Sequence, residues 1–359
     1  MPRQTVRLAI DRAAPDAAII ARAAAVLRQG GLVAFPTETV YGLGAAALDA
    51  AAVAGIFAAK GRPATDPLIV HLASRGDLPA VATAVPAIAA RLADAFWPGP
   101  LTLIVPRGPA VPAAVTAGLT TVAVRVPAHP VALALLRAAG VPVAAPSANR
   151  FSRPSPTSAA HVMADLDGAI DLVLDGGMTD VGVESTIVDC TGAAPVVRRA
   201  GAITLEALRA VVPDVTVVTA DASPDRVQVA PGQLLRHYAP AARLTVFAGE
   251  PARVVRRLAT EARAQAAAGR RVGVLAPDDD LVELAPELAA AASQGRVIVA
   301  SLGKRAEPAE AAQRLFAALR WLDGEAVDVI VASGPVRDAL GAAVWDRLRR
   351  AAEGRVIAV

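Results

Sequence analysis

Apolar positions recur at helical spacing after Asp16, with Ile19, Ile20, Ala23, Val26 and Leu27 on one face until Gly30 and Gly31 stop the run. Leu32 to Phe35 then reads as a strand. Asp49 is placed to cap a second helix through Ala59, which leaves Lys60, Gly61 and Arg62 just past its end and before Pro63. Short apolar runs at Leu68 to Leu72, Leu101 to Val105, Thr121 to Val126, Val141 to Ala145, Ile170 to Leu174 and Ser185 to Val188 predict further strands. Some follow each other too closely for helical crossovers, so the pattern predicts an α/β domain with a mixed sheet over residues 1–210. Periodicity fades over 211–242, where Pro213, Pro224, Pro231, Gly232 and Pro240 punctuate a segment that reads as a linker. Beyond it, strands beginning near Arg243, Arg271, Arg296, Val327 and Arg355 alternate with stretches long enough for crossover helices. One such helix, Glu307 to Asp323, sets Ala312, Leu315, Phe316, Leu319 and Leu322 on its inner side. The alternation predicts a small, doubly wound parallel sheet over 243–359.

Composition narrows this picture. A chain of 359 residues with 54% hydrophobic side chains can build two cores and is not intrinsically disordered. Its 36 basic and 33 acidic groups are interspersed, which argues against an electrostatic arm for nucleic acid. The single cysteine, Cys190, allows neither an internal disulfide nor a cysteine-based zinc site and favours a reducing compartment. With no apolar stretch long enough for a signal peptide or a membrane span, the expected location is the cytoplasm. The second domain lacks a G-x-G-x-x-G or Walker loop, so its fold class assigns it no ligand.

Several segments carry groups able to do chemistry. The turn Pro36-Thr37-Glu38-Thr39-Val40-Tyr41-Gly42 leaves a strand with hydroxyls and a carboxylate, which suits a ligand-gripping loop or an ordinary glycine-containing turn. Lys60 and Arg62, expected on an exposed loop, suit a polyphosphate as point charge and fork; helix C-terminal charges complementing the dipole explain them equally. His71 sits in an apolar strand and needs a partner, either substrate or backbone. Arg125, flanked by valines in its strand, needs an anion, either a protein or a substrate carboxylate. Pro146-Ser147-Ala148-Asn149 and the following Ser152, Ser155, Thr157 and Ser158 offer hydroxyl and amide groups to phosphate, ribose or base, or simply to local turns. No serine elbow or H-E-x-x-H motif occurs, which removes acyl-enzyme and zinc-hydrolase chemistry from consideration.

Taken together, Lys60-Gly61-Arg62-Pro63, Pro67-Leu68-Ile69-Val70-His71, Trp97-Pro98-Gly99-Pro100-Leu101-Thr102, Pro146-Ser147-Ala148-Asn149, Glu184-Ser185-Thr186-Ile187-Val188 and Arg236-His237-Tyr238-Ala239-Pro240 resemble the threonylcarbamoyl-AMP synthases in their long form. That resemblance implies a YrdC-like catalytic domain over 1–210, a linker or lid over 211–242 carrying the His-Tyr-Ala-Pro motif, and a small Rossmann-like domain over 243–359. It implies a nucleotidyltransferase that condenses L-threonine, bicarbonate and ATP, with Mg2+, into threonylcarbamoyl-AMP and pyrophosphate. The product would pass to a transferase machinery that modifies tRNA adenosine. By the same resemblance Lys60, Arg62, Thr121, Ser147, Asn149, Ser155, Arg199 and Tyr238 belong to the ATP side, and Thr37, His71, Arg125, Ala145 and Ser185 to the threonine side. Metal ligands and direct tRNA contact stay unassigned. Asp66 departs from the asparagine common in the family at this position, and an aspartate cannot donate to phosphate. Two other readings stand beside it, an RNA-binding module and a carbamoyltransferase of hydrogenase maturation. Dispersed charge argues against the first, and one cysteine against the zinc-finger parts of the second.

Overall fold

A computed structural model describes residues 4–218, 227–235 and 237–359 of the chain, which divide into two compact units. The first comprises Met1–Phe151 and Ser155–Leu234, the second Ser152–Pro154 and Leu235–Val359.

In the first unit the strands are β1 (Val6–Ala9), β2 (Val33–Phe35), β3 (Gly42–Ala46), β4 (Ile69–His71), β5 (Leu101–Pro106), β6 (Thr121–Arg125), β7 (Val143–Ala144), β8 (Leu172–Asp175), β9 (Thr186–Asp189), β10 (Val196–Arg199) and β11 (Thr216–Val217). They join in the order β1-β8-β2-β3-β7-β4-β6-β5-β9-β10-β11, parallel at β4–β6 and β5–β9 and antiparallel at β5–β6, β3–β7 and β9–β10. The sheet is therefore mixed, as close strand spacing demands. Asp16 and Asp49 each accept from two backbone amides at the starts of helices Ala17–Arg28 and Ala50–Lys60. Gly61 ends the second helix at φ 63°, where its missing Cβ removes the left-handed penalty.

Strand β3 carries only Gly, Leu and Ala and has no β-branched signal. Its glycine explains why it pairs nonetheless: a Cβ on Gly44 would meet Phe35 and Val143 at 2.9 Å. The first unit also runs beyond residue 210. Val212 and Val215 are in its core and β11 pairs with β10, because two isolated valines lock onto the sheet without a period long enough to see in sequence.

The second unit holds β12 (Arg243–Ala248), β13 (Val272–Ala276), β14 (Val297–Ser301), β15 (Val329–Ala332) and β16 (Val356–Ala358), in the order β14-β13-β15-β12-β16, parallel in every pairing. The chain moves one way from β12 to β14 and the other way from β14 to β16. Right-handed crossovers then put helices Pro251–Ala267 and Asp278–Ser293 on one face and Pro308–Gly324 and Gly341–Ala351 on the other. This is the doubly wound arrangement, and Ala312, Leu315, Phe316, Leu319 and Leu322 are all buried along their helix.

Candidate functional site

Alternation along the strands gives the large sheet two unlike faces. Leu68, Val70, Leu103, Val105, Val122 and Val124 enter the main core. Their neighbours Ile69, Ile104, Ala123 and Ile187 form a separate apolar patch on the other face, covered by Ala230. His71 and Arg125 belong to that second face and are register partners at the ends of β4 and β6.

Arg125 is almost fully buried. Its guanidinium donates to the Gly99 carbonyl at 3.2 Å and the Thr39 hydroxyl at 3.0 Å, and pairs with Glu38 at 2.7 Å. The strand arginine thus has a protein carboxylate as partner. Glu38 Oε2 is buried with no hydrogen-bond partner. Thr37 closes the turn by donating to the Val40 carbonyl at 2.6 Å and sits 2.8 Å from the Thr39 hydroxyl. His71 lies 3.3 Å from the Ile69 carbonyl and edge-on to Phe35. Burial first, and the Arg125 charge second, push its pKa from 6.5 down to about 3. The imidazole is therefore neutral when folded and takes up a proton on unfolding. Stability should fall as pH drops from 6.5 toward 3, by about 1.4 kcal/mol per pH unit. Urea unfolding of His71→Gln between pH 4 and 6 should show this slope reduced by one proton; an unchanged slope would place that proton elsewhere.

The second cluster is built on Asp66. Lys60 and Arg62, expected on an exposed loop, are both buried. Lys60 Nζ donates to the Ser147 and Asn149 carbonyls at 2.5 Å each. Arg62 donates to the Asp66 and Pro67 carbonyls and pairs with the Asp66 carboxylate at 2.9 Å. Asp66 has no exposed surface, and burial raises its pKa against the opposing pull of Arg62, Lys60 and Arg199. Three cations thus converge on one carboxylate. Arg199 donates to the Ser185 carbonyl at 3.0 Å and to the Pro231 carbonyl at 3.2 Å. Ser185 lies 2.8 Å from the Thr102 hydroxyl. Ser155 donates to Glu184 at 2.5 Å.

Other expected positions fall around these clusters. Ala145 follows β7 and donates its amide to the Ile69 carbonyl, beside His71. Thr121 opens β6 opposite Pro106, four residues before Arg125. Residues 228–232 lie on the same face: Gln228 donates to the Thr65 carbonyl, and a Gly232 backbone contact reaches Asp66. Tyr238 belongs to the second unit, where its buried ring packs on His237, Phe316 and the Arg347 guanidinium. Arg236 of the same motif lies outside the described residues. Glu38 and Asp66 are the ion-pair partners that sequence reasoning did not assign. Each was visible as a carboxylate inside a motif, but only folding reveals which cation it meets.

Two family models match the chain. One described as "Telomere recombination" covers residues 25–201, and one described as "Threonylcarbamoyl-AMP synthase, C-terminal domain" covers 203–353. The threonylcarbamoyl-AMP synthase of Pyrococcus abyssi is 45% identical over 339 residues, 94% of this chain and 95% of that protein. The Bacillus subtilis protein of the same name is also 45% identical, over 94% of each chain. Among solved structures, P. abyssi Sua5 complexed with L-threonine matches with a TM-score of 0.90 at 44% identity, covering 99% of this chain and 100% of the other.

Proposed function

The chain belongs to the threonylcarbamoyl-AMP synthase family, and on that premise we propose that it condenses L-threonine, bicarbonate and ATP into threonylcarbamoyl-AMP and pyrophosphate as a nucleotidyltransferase. The observation that carries this reading is the pairing of neutral His71 with Arg125 beside the Thr37 to Thr39 turn. That corner offers a guanidinium for a carboxylate, hydroxyls for an amino acid's polar groups and a wall that excludes water.

In this reading the threonine carboxylate takes Arg125, sharing it with Glu38 or displacing it. Threonine ammonium and bicarbonate become carbamate, water and one proton, and Glu38 is the carboxylate at hand to accept that proton. Free carbamate reverts readily, so a shielded pocket matters more than a nucleophilic side chain. A carbamate oxygen then attacks the α-phosphate in line and pyrophosphate leaves. Lys60, Arg62 and Arg199 hold positive potential where that charge develops, while Ser147, Asn149, Ser155 and Thr121 line the nucleotide's path. Ala145 and Ser185 border the threonine side chain. Mg2+ would enter with ATP as part of the substrate, since magnesium commonly keeps several waters and is held by phosphates rather than by a dedicated protein cage. The proposed place of this work is the cytoplasm; no helix among the described residues is long and apolar enough to cross a membrane.

The test is pyrophosphate release with each substrate omitted in turn. Release should require both threonine and bicarbonate; equal release from ATP alone would overturn the reading.

Residues 228–232 also fit a lid, since they cover the apolar patch and touch the Asp66 cluster. Amide exchange there should slow when threonine and a non-hydrolysable ATP analogue bind. A chain ending at residue 210 should lose synthesis, and because it also exposes the patch and removes Val212 and Val215 it should lose stability too. Unchanged exchange with full activity of the short chain would make this segment a passive spacer.

A further inference from the structure

In the second unit, β12 and β15 lie side by side and parallel, yet the chain leaves them for opposite faces of the sheet. Helix Pro251–Ala267 follows β12 on one face and helix Gly341–Ala351 follows β15 on the other. Such a switch point opens a crevice outside the carboxyl ends of the strands, where doubly wound folds place ligands. A cavity of ≈ 210 Å³ occupies this position. Its apolar walls include Phe247, Pro251, Val254, Pro335 and Val336, and among the described residues its only charged lining groups are Arg305 and Arg337.

The two arginines are held differently. Arg305 pairs with Asp280, which is itself buried and accepts from the Ser333 hydroxyl at 2.6 Å. Its backbone amide donates to Asp279 at 2.7 Å, and its carbonyl accepts from Val336 at 3.1 Å. Arg305 is therefore fixed and charge-balanced. Arg337 lies 4.2 Å over the Trp345 ring, whose indole N–H is anchored on the Pro335 carbonyl at 2.7 Å. Among the described residues no carboxylate pairs with Arg337. A pre-oriented guanidinium without a counterion beside apolar walls calls for an anion with an apolar body.

Size and hydrogen bonding narrow the choice. At ≈ 210 Å³ the cavity falls below the range of about 300 to 1,000 Å³ usual for cofactor pockets, less than a nucleotide needs. Glu250 already accepts from the Ala252 and Arg253 amides at the start of helix Pro251–Ala267, so its side chain occupies the place a pyrophosphate would take. Among the described residues no carboxylate side chain lines the cavity to hold a cation.

We propose that this crevice is a binding site for a small monocarboxylate with a compact apolar body, the carboxylate on Arg337 and the body between Val254 and Val336. The site lies wholly within the second unit and does not depend on the chemistry assigned to the first.

The probe is benzoate, titrated into the full-length protein by ligand-observed NMR with threonine present at saturation to occupy any amino-acid pocket. Saturable binding with a Kd on the order of 1 mM is expected for so few atoms. Benzyl alcohol, the uncharged relative, should bind about tenfold more weakly, and inorganic phosphate should not displace benzoate at equal concentration. Arg337→Ala should cost about tenfold in affinity, and Val336→Trp, which fills the cavity from an exposed position, should remove binding. Pyrophosphate release should be unchanged in Arg337→Ala. Equal affinity for benzoate and benzyl alcohol, displacement by phosphate, or full binding by Arg337→Ala would overturn the proposal. So would an absence of saturation, and if Val336→Trp does not fold, Arg337→Ala decides the matter.

Discussion

Arg62→Ala is expected to lose about 3 to 5 kcal/mol of folding stability, because it leaves the Asp66 carboxylate buried without its closest countercharge. An exposed phosphate-binding arginine would instead cost activity and leave the fold untouched. The double variant Arg62→Ala/Asp66→Asn separates the two roles. It removes the stranded charge and should recover most of the lost stability, while synthesis stays impaired through loss of the cation. Chemical denaturation of the two variants measures this directly. A single variant as stable as the parent would show that Asp66 finds enough support from Lys60 and Arg199 alone.

The second large effect is expected at Arg125. Lysine keeps the charge but cannot serve the Gly99 carbonyl, the Thr39 hydroxyl and a carboxylate together. Losing a charge-assisted contact to threonine should raise its KM by about 10- to 100-fold, from about 1.5 to 3 kcal/mol of binding. Because Glu38 retains a cation partner, Arg125→Lys should stay folded. The KM for ATP should hardly move, which distinguishes loss of an amino-acid contact from a general distortion of the site. A threonine KM equal to the parent's would remove Arg125 from the threonine side.

Much of this was legible in the chain because each motif sits at a strand end or just past a helix. The capping aspartates, the stop at Gly30 and Gly31, and the alternation around His71 and Arg125 predict where these elements run and which face each side chain takes. The βα periodicity of the second unit predicts its strands to within a few residues, since long helices with buried stripes leave little ambiguity. What was hidden is pairing across the fold. Glu38 and Arg125 are 87 positions apart, and nothing in either local pattern says that they meet. The burial of Lys60 and Arg62 was hidden for the same reason: a cation after a helix looks solvated until the Ser147 to Asn149 loop folds over it. Strand β3 escaped notice because its glycines carry packing information that appears only when Phe35 and Val143 stand beside them.

In the proposed reaction the corner formed by Thr37, Thr39, His71 and Arg125 receives threonine for carboxylation ahead of adenylation. The most direct measurement follows radiolabelled bicarbonate into an AMP-containing product, separated chromatographically, for the parent chain and for Arg125→Lys at low and saturating threonine. Label should enter the adenylate only when threonine and ATP are both present, and the variant should regain label as threonine is raised. Labelled adenylate formed without threonine, or a variant that incorporates label like the parent at low threonine, would contradict the account.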